Sequence, residues 1–172
     1  HYVQISNNQL EDSIANSTGS SFAYESRMGR FQDWVNNDSR GCYSHMRIEG
    51  SQDIRVVGGQ CDGYDKNAII IGAAGNTIER VLVDGVQING YTGVFTTLAA
   101  AIRIETSSVM RDIKIQNIKA DNVSVGNIGS AISVGVSTTM LNILIKNNSF
   151  KTGAAENTVA AISHANSVSS VR

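Results

Sequence analysis

Two charged tripeptides are the first residues of this sequence that could do chemistry. Arg-Ile-Glu occurs twice, ending at Glu49 and at Glu105, and an aspartate follows each copy, Asp53 after the first and Asp112 after the second. Two carboxylates can hydrolyse a glycosidic bond when one protonates the leaving oxygen and the other activates a water. A cluster of like charges can also raise the pKa of one member, which then carries the proton. The four acids are therefore candidate catalytic groups, with Asp53 and Asp112 as alternates to the glutamates.

Arginines and aromatic rings near these acids suit a sugar as the bound molecule. Arg47 and Arg103 belong to the two tripeptides and could bind hydroxyls or sugar carboxylates, while Trp34 and Tyr24 could stack on a sugar ring. If the sugar were uronic, Arg103 or Lys114 could instead be the base of a lyase. The alternative is structural: the charges keep a flat sheet soluble, and the rings fix a loop onto the body of the fold.

A repeated phrase of alternating apolar and polar residues has to position these groups. Its first apolar residue is followed by another two positions on and, four positions on, by Asn or Gly. The phrase starts at Val3, Ile54, Val81, Ile113 and Ile143, in steps of 51, 27, 32 and 30 residues. A second alternating phrase precedes it at 45–49, 68–72, 101–105, 131–135 and 161–165. Each repeat therefore holds two short strands and a further short segment after the Asn or Gly turn.

Stacking of these repeats predicts an all-β fold, a parallel β-helix of about five rungs. One short repeat cannot bury its own apolar face, but repeats stacked in register bury it against one another. A βαβ fold would need an amphipathic crossover helix in each repeat, and the segments between the strands are too short and too polar for one. In such a stack Glu49 and Glu105 lie in one outward column, two rungs or roughly 10 Å apart, with Gly72 between them.

The long first step of 51 residues predicts an insertion. Residues 11–44 are predicted to form a loop that carries the only Trp, with a short helix at 22–35. The whole chain, 1–172, is predicted to be a single β-helix domain. Both termini read like interior strands without caps, so we expect a fragment of a longer helix, or stabilisation by oligomerisation.

The repeated phrases resemble those of a known superfamily. The pattern I-x-I-x-N at 3–10, 54–61, 81–88, 113–120 and 143–150 resembles the right-handed parallel β-helix of the pectate-lyase superfamily, which includes many bacteriophage tailspikes and capsule depolymerases. The resemblance covers nearly all of the chain outside residues 11–44, and no catalytic signature of one family accompanies it. It implies a homotrimer on a virion tail or outside the cell, with a bacterial surface polysaccharide as its partner.

Composition and motifs argue against several other classes of function. A net charge of −1 gives no basic surface for nucleic acid, and the chain has no apolar run long enough to insert into a membrane. No cofactor-binding motif is present, so no cofactor is predicted. Asp62 and Asp65 could ligate calcium, but two acids on a turn are usually solvated, and no metal is predicted. Cys42 and Cys61 are expected to be unpaired thiols rather than a disulfide.

Three functions follow from this reading of the sequence. The leading hypothesis is a tailspike-like glycoside hydrolase that binds and cleaves a bacterial surface polysaccharide, with Glu49 and Glu105 as its acid–base pair. The second is a non-catalytic structural or adhesive fibre segment, because beyond Asp121 the outward positions hold a single acid, Glu156. The third is a polysaccharide lyase.

Overall fold

Every regular element of the described chain is a β-strand, and every strand pairing is parallel. The computed structural model describes residues 2–11, 22–64, 67–91, 100–105, 107, 109–123, 130–135, 139–152 and 160–164. In this part of the chain there are eighteen strands and no helix, and therefore no helix that could span a membrane. The predicted all-β fold, a parallel β-helix, is confirmed.

The strands form three six-stranded sheets, which the chain visits in turn. Sheet A contains β1 (Val3–Ser6), β4 (Arg30–Val35), β7 (Gln52–Val57), β10 (Thr77–Asp84), β13 (Val109–Gln116) and β16 (Thr139–Lys146). Sheet B contains β2 (Gln9–Glu11), β5 (Asp38–Cys42), β8 (Gln60–Tyr64), β11 (Gln87–Tyr91), β14 (Lys119–Val123) and β17 (Ser149–Thr152). Sheet C contains β3 (Phe22–Arg27), β6 (Ser44–Glu49), β9 (Asn67–Ile71), β12 (Ala100–Ile104), β15 (Ser130–Val134) and β18 (Ala160–His164). Each strand pairs only with the strands one rung before and one rung after it.

The core lies between the three sheets, and the apolar columns fill it. Ile54, Val81, Ile113 and Ile143 stand in register along sheet A and are all buried. Along sheet C the corresponding column is Met46, Ile69, Ile102 and Ile132, again buried. Branched side chains suit such a stack because each one packs on its copies above and below. The predicted register is confirmed in both sheets.

Left-handed residues make the turn from sheet A to sheet B. The turn position is occupied along the stack by Asn7, Asn36, Gly58, Gly85, Asn117 and Asn147, all with φ between 50° and 70°. Asn and Gly are the residues that reach this conformation at least cost. One position later, Asn37 is buried, accepts a hydrogen bond from the Asn8 backbone amide (3.1 Å) and donates one to the Ile5 carbonyl (2.9 Å). The predicted Asn or Gly turn is confirmed, and the asparagine one position after it forms hydrogen bonds between rungs.

The predicted insertion at 11–44 is wrong for the residues that the structure describes there. Residues 22–42 build β3, β4 and β5, which give each sheet its sixth strand in place of the loop and the short helix. Gln32 pairs with Val3 on one side and Ile54 on the other, so it occupies the column where the other rungs carry Ile or Val. That polar residue hides the repeat, and the 51-residue step is two steps, of 29 and 22 residues, between Val3, Gln32 and Ile54.

Candidate functional site

The two glutamates of the candidate acid–base pair lie on the outer face of sheet C, as predicted. Arg47 pairs with Ile70, which pairs with Arg103, so the arginines share one outward column. The next outward column holds Glu49, Gly72 and Glu105, because the Gly72 amide donates to the Ile48 carbonyl and the Glu105 amide to the Ile71 carbonyl, both at 2.8 Å. Strand alternation thus brings two acids and two arginines onto one surface.

The guanidinium of Arg47 lies between the two glutamates. Its Nε is 3.1 Å from Glu49 Oε2, and its Nη2 is 3.9 Å from Glu105 Oε2. These two nitrogens of one planar guanidinium are about 2.3 Å apart, so the two carboxylate oxygens are separated by no more than about 9 Å. Both carboxylates therefore contact the same cation.

Further ion pairs extend this arrangement along the sheet. Arg27 Nη2 is 3.4 Å from Glu49 Oε2, and Arg103 Nε is 3.5 Å from Glu105 Oε1. The Arg47 guanidinium also lies over the Phe22 ring, with 5.1 Å between Cζ and the ring centroid, in a cation–π contact. Glu49 receives a weaker hydrogen bond from Asn76 Nδ2 at 3.3 Å. Both acids are therefore engaged by cations of the same sheet.

Asp53 and Asp112 lie on sheet A and belong to a different feature. Each has φ near 57° and stands in a column of left-handed residues, which in strand order are Phe31, Asp53, Arg80, Asp112 and Asn142. Arg80 donates two hydrogen bonds to Asp53, at 2.6 and 2.9 Å, and these lower the pKa of that carboxyl. Asn142 Nδ2 donates to Asp112 Oδ1 at 2.8 Å. Each aspartate therefore bonds to the next residue of this column, and both lie on a different sheet from Glu49 and Glu105.

The two aromatic residues predicted to stack on a sugar are in the core, which corrects that prediction. Tyr24 and Trp34 are each 7% exposed and meet edge to face, 6.0 Å apart. The Tyr24 hydroxyl donates to the Asp38 carbonyl at 2.6 Å and lies 3.0 Å from the Asn8 carbonyl, and burial raises its pKa to about 12. Trp34 stands in the inward column between Ile5 and Val56. Neither ring offers a face to a ligand, because residues 22–42 form a rung and not a loop.

The two alternative lyase bases lie on different sheets, and one of the two calcium-ligand candidates is described. Lys114 is on sheet A, in register with Leu82, while Arg103 is on sheet C. Asp65 lies outside the described residues, and Asp62 accepts hydrogen bonds from Gln60 Nε2 (2.6 Å) and Asn89 Nδ2 (2.8 Å). Among the residues whose positions are described, no three His, Cys, Asp or Glu side chains form a group that could hold a metal ion. Cys42 and Cys61 are free, buried thiols, as predicted.

A buried polar contact was missed by the sequence reading. His45, on sheet C, is 1% exposed, and its Nδ1 is 2.7 Å from the hydroxyl of Ser39 on sheet B. Burial lowers the pKa of His45 to about 4, so the imidazole is neutral near pH 7. Ser39 and the outward residues beside it, Asp38 and Arg40, were assigned to the predicted loop. Asn36 is the signal that could have identified this strand, because it follows Gln32 by four residues, as the turn Asn or Gly follows the first apolar residue of every other phrase.

Comparison with known proteins yields no relative. No protein-family model, no curated protein and no solved structure matches the chain. The established likeness is therefore architectural, a parallel β-solenoid, and it carries no substrate or activity with it.

Proposed function

We propose that the chain is a non-catalytic segment of a virion or extracellular fibre, a β-solenoid that binds a bacterial surface polysaccharide along its outer faces. The observation that supports this reading over hydrolysis is the position of Arg47. Its guanidinium occupies the space between Glu49 and Glu105, where an inverting hydrolase needs the sugar and a water.

Binding rather than cleavage also fits the chemistry of the outer faces. The outward residues of sheets B and C include Gln, Asn, Asp, Glu and Arg side chains, repeated from rung to rung. Amides, carboxylates and guanidinium groups are the hydrogen-bonding partners that sugar hydroxyls need. The parallel stack holds them at a fixed spacing of about 4.8 Å, so a linear glycan can meet similar groups at successive rungs. Assembly as a homotrimer belongs to the same proposal and is tested by light scattering.

The experiment measures binding and cleavage on the same set of bacterial capsule and O-antigen polysaccharides. We expect retardation of the protein in polysaccharide-containing native gels, with no release of reducing ends. Glu49→Gln and Glu105→Gln keep the shape of each side chain and an oxygen that can accept from the arginines, so both variants should fold, as thermal denaturation will show. Glu79→Gln is the matched control, because Glu79 also pairs with two arginines, Arg80 and Arg111, but on sheet A.

A glycoside hydrolase is the second candidate, and one distance favours it. The Glu49 and Glu105 oxygens are separated by no more than about 9 Å, which does not exceed the roughly 6.5–9.5 Å separation of the two carboxyl groups in inverting enzymes. Hydrolysis would require a substrate that draws Arg47 away from the acids. Reducing ends that the wild type and the Glu79 variant release, and that both other glutamine variants fail to release, would replace the binding proposal with this one. Release of unsaturated uronate instead would identify a lyase.

A further inference from the structure

A cleft of about 180 Å³ opens on the outer face of sheet B, away from the glutamates of sheet C. The residues that line it are all polar or charged: Gln9, Asp38, Ser39, Arg40, Gln60 and Asp62. They come from three consecutive strands, β2, β5 and β8, so the cleft crosses three rungs. The middle strand, β5, lies within the predicted loop.

The register of sheet B fixes the walls of the cleft. Gln9 pairs with Asp38, and Arg40 pairs with Asp62 on the next strand. The carboxylate of Asp38 accepts a hydrogen bond from the Gln60 backbone amide at 2.8 Å, which joins two rungs. Gly41 and Gly63, with φ of 60° and 67°, follow Arg40 and Asp62 directly. Both strands therefore carry a left-handed glycine at the same register position, directly after the residues that line the cleft.

The floor of the cleft is held from inside the solenoid. Ser39 is 3% exposed, and its hydroxyl points inward to His45 Nδ1 at 2.7 Å. That buried contact ties β5 of sheet B to β6 of sheet C. The side chains on either side of Ser39 in β5, Asp38 and Arg40, consequently project outward from a fixed strand. A rigid floor lowers the entropy cost of binding, because the polar groups are already in place.

The side chain of Arg40 is the feature of the cleft that indicates ligand binding. Its side chain is exposed, and within the described residues it makes no ion pair, although Glu11 and Asp62 stand on either side of it in the column. Asp62 instead accepts from the amides of Gln60 and Asn89. The cleft thus presents a guanidinium with unused donors beside carboxylates with remaining lone pairs, the combination that binds adjacent hydroxyl groups.

The charge of the cleft selects the class of ligand. Three carboxylates, of Glu11, Asp38 and Asp62, surround the single guanidinium of Arg40, so the site repels a uronic or sulfated chain. The rung spacing of about 4.8 Å is comparable to the length of one sugar unit. We propose that this cleft binds a short stretch of a neutral polysaccharide, with Arg40 and Asp62 as the main hydroxyl partners. The inference rests on the proposed polysaccharide binding and assigns it to sheet B.

The test is affinity electrophoresis of the full chain in gels that contain one polysaccharide each. The neutral probes are dextran, mannan and galactan, and the anionic probes are polygalacturonate and alginate. We expect a neutral probe to retard the wild type, and Arg40→Gln and Asp62→Asn each to raise the dissociation constant at least about tenfold. Arg111→Gln, which removes an exposed arginine of sheet A, is the control and should bind like the wild type. Thermal denaturation of each variant shows that the fold is retained.

Each other outcome identifies which idea fails. Wild-type affinity in both cleft variants would overturn the assignment to sheet B and leave polysaccharide binding in place. Tighter binding to polygalacturonate or alginate than to every neutral probe would overturn the ligand class. Failure of the wild type to bind any probe, the capsule and O-antigen set included, would overturn both the cleft and the proposed function.

Discussion

At the scale of single residues, the buried imidazole of His45 links stability to pH. Its pKa in the folded chain is about 4, because burial disfavours the charged form, against about 6.5 when unfolded. Between these values the unfolded state binds the proton and the folded state does not, so stability falls as the pH falls from 6.5 to 4. Lowering the pH across this whole window reduces the free energy of unfolding by about 3 kcal/mol. Urea denaturation at neutral pH and near pH 4.5 should reveal most of this loss.

The variant His45→Gln tests the assignment to this one side chain. A glutamine amide can still reach the Ser39 hydroxyl and does not titrate, so the dependence of stability on pH between 6.5 and 4.5 should flatten. Arg80 lowers the carboxyl pKa of Asp53, and Asn117 lowers that of Asp84. The stability that these two carboxylates contribute is therefore lost only below about pH 4, where they become protonated. A variant that keeps the full pH dependence of the wild type would assign the effect to other groups.

A second residue-scale prediction concerns strain at Phe31. This residue has φ of 54°, in the left-handed region that costs a residue with Cβ roughly 1–2 kcal/mol, and it is 52% exposed. Phe31→Gly should therefore raise the melting temperature by about 1–4 °C, after the entropy cost of glycine is subtracted. Phe31→Ala keeps Cβ and should give no gain. Equal gains in both variants would attribute the effect to removal of the exposed ring.

At the scale of elements, the close approach of neighbouring turns makes one glycine indispensable. Gly59 has φ of 90°, and a Cβ there would lie 2.4 Å from the Asn37 carbonyl oxygen, a backbone atom that cannot move aside. Gly75 has φ of 80° but no atom within 4 Å of such a Cβ. Gly59→Ala should cost at least about 2 kcal/mol more than Gly75→Ala, or roughly 4–8 °C in melting temperature. Similar losses in the two variants would show that φ alone, and not rung spacing, matters.

The strands that sequence reasoning found are those with apolar residues at both inward positions. Alternation fixes which face is buried, so the columns of Ile54 and of Met46 could be read directly. The rung built from β3, β4 and β5 could not, because Gln32 and Trp34 replace the aliphatic pair of the phrase. A loop at this rung predicts that Trp34 and Tyr24 are exposed. Their burial follows from strand alternation, which a loop does not have.

The sequence predicts those features of the candidate site that depend on the backbone alone, namely which residues face outward and which share a column. The outward columns of Arg47 and Glu49 follow from the period of two and the repeat length, and both are found. The contact of Arg47 with Glu105 depends on a long side chain that reaches across the rung of Ile70, which no spacing in the sequence encodes. Such ion pairs decide whether two carboxylates are free to act on a substrate, and only the three-dimensional structure shows them.

At the scale of the whole molecule, contacts between neighbouring rungs predict graded stability along the axis. Strands β7 to β12 have a paired strand on both sides, whereas β1, β2 and β3 end their sheets in this chain. Hydrogen exchange in the 172-residue chain should therefore be slowest for inward-facing central positions such as Ile54 and Val81, and faster for Val3 and Ile5. Equal protection from one end to the other would mean that the stack unfolds as one cooperative unit.

The pairing of every strand with its neighbours one rung away has a consequence for how such a chain can change over generations. A duplicated or deleted stretch of one repeat adds or removes a whole layer, and the layers on either side meet the same kind of surface as before. Length can therefore vary in increments of about 4.8 Å while the cross-section stays constant. Gln32 and Trp34 show that one layer can also diverge in sequence without loss of its place in the stack. Duplication can therefore add rungs to the solenoid, and point mutations can then change the sequence of each rung separately.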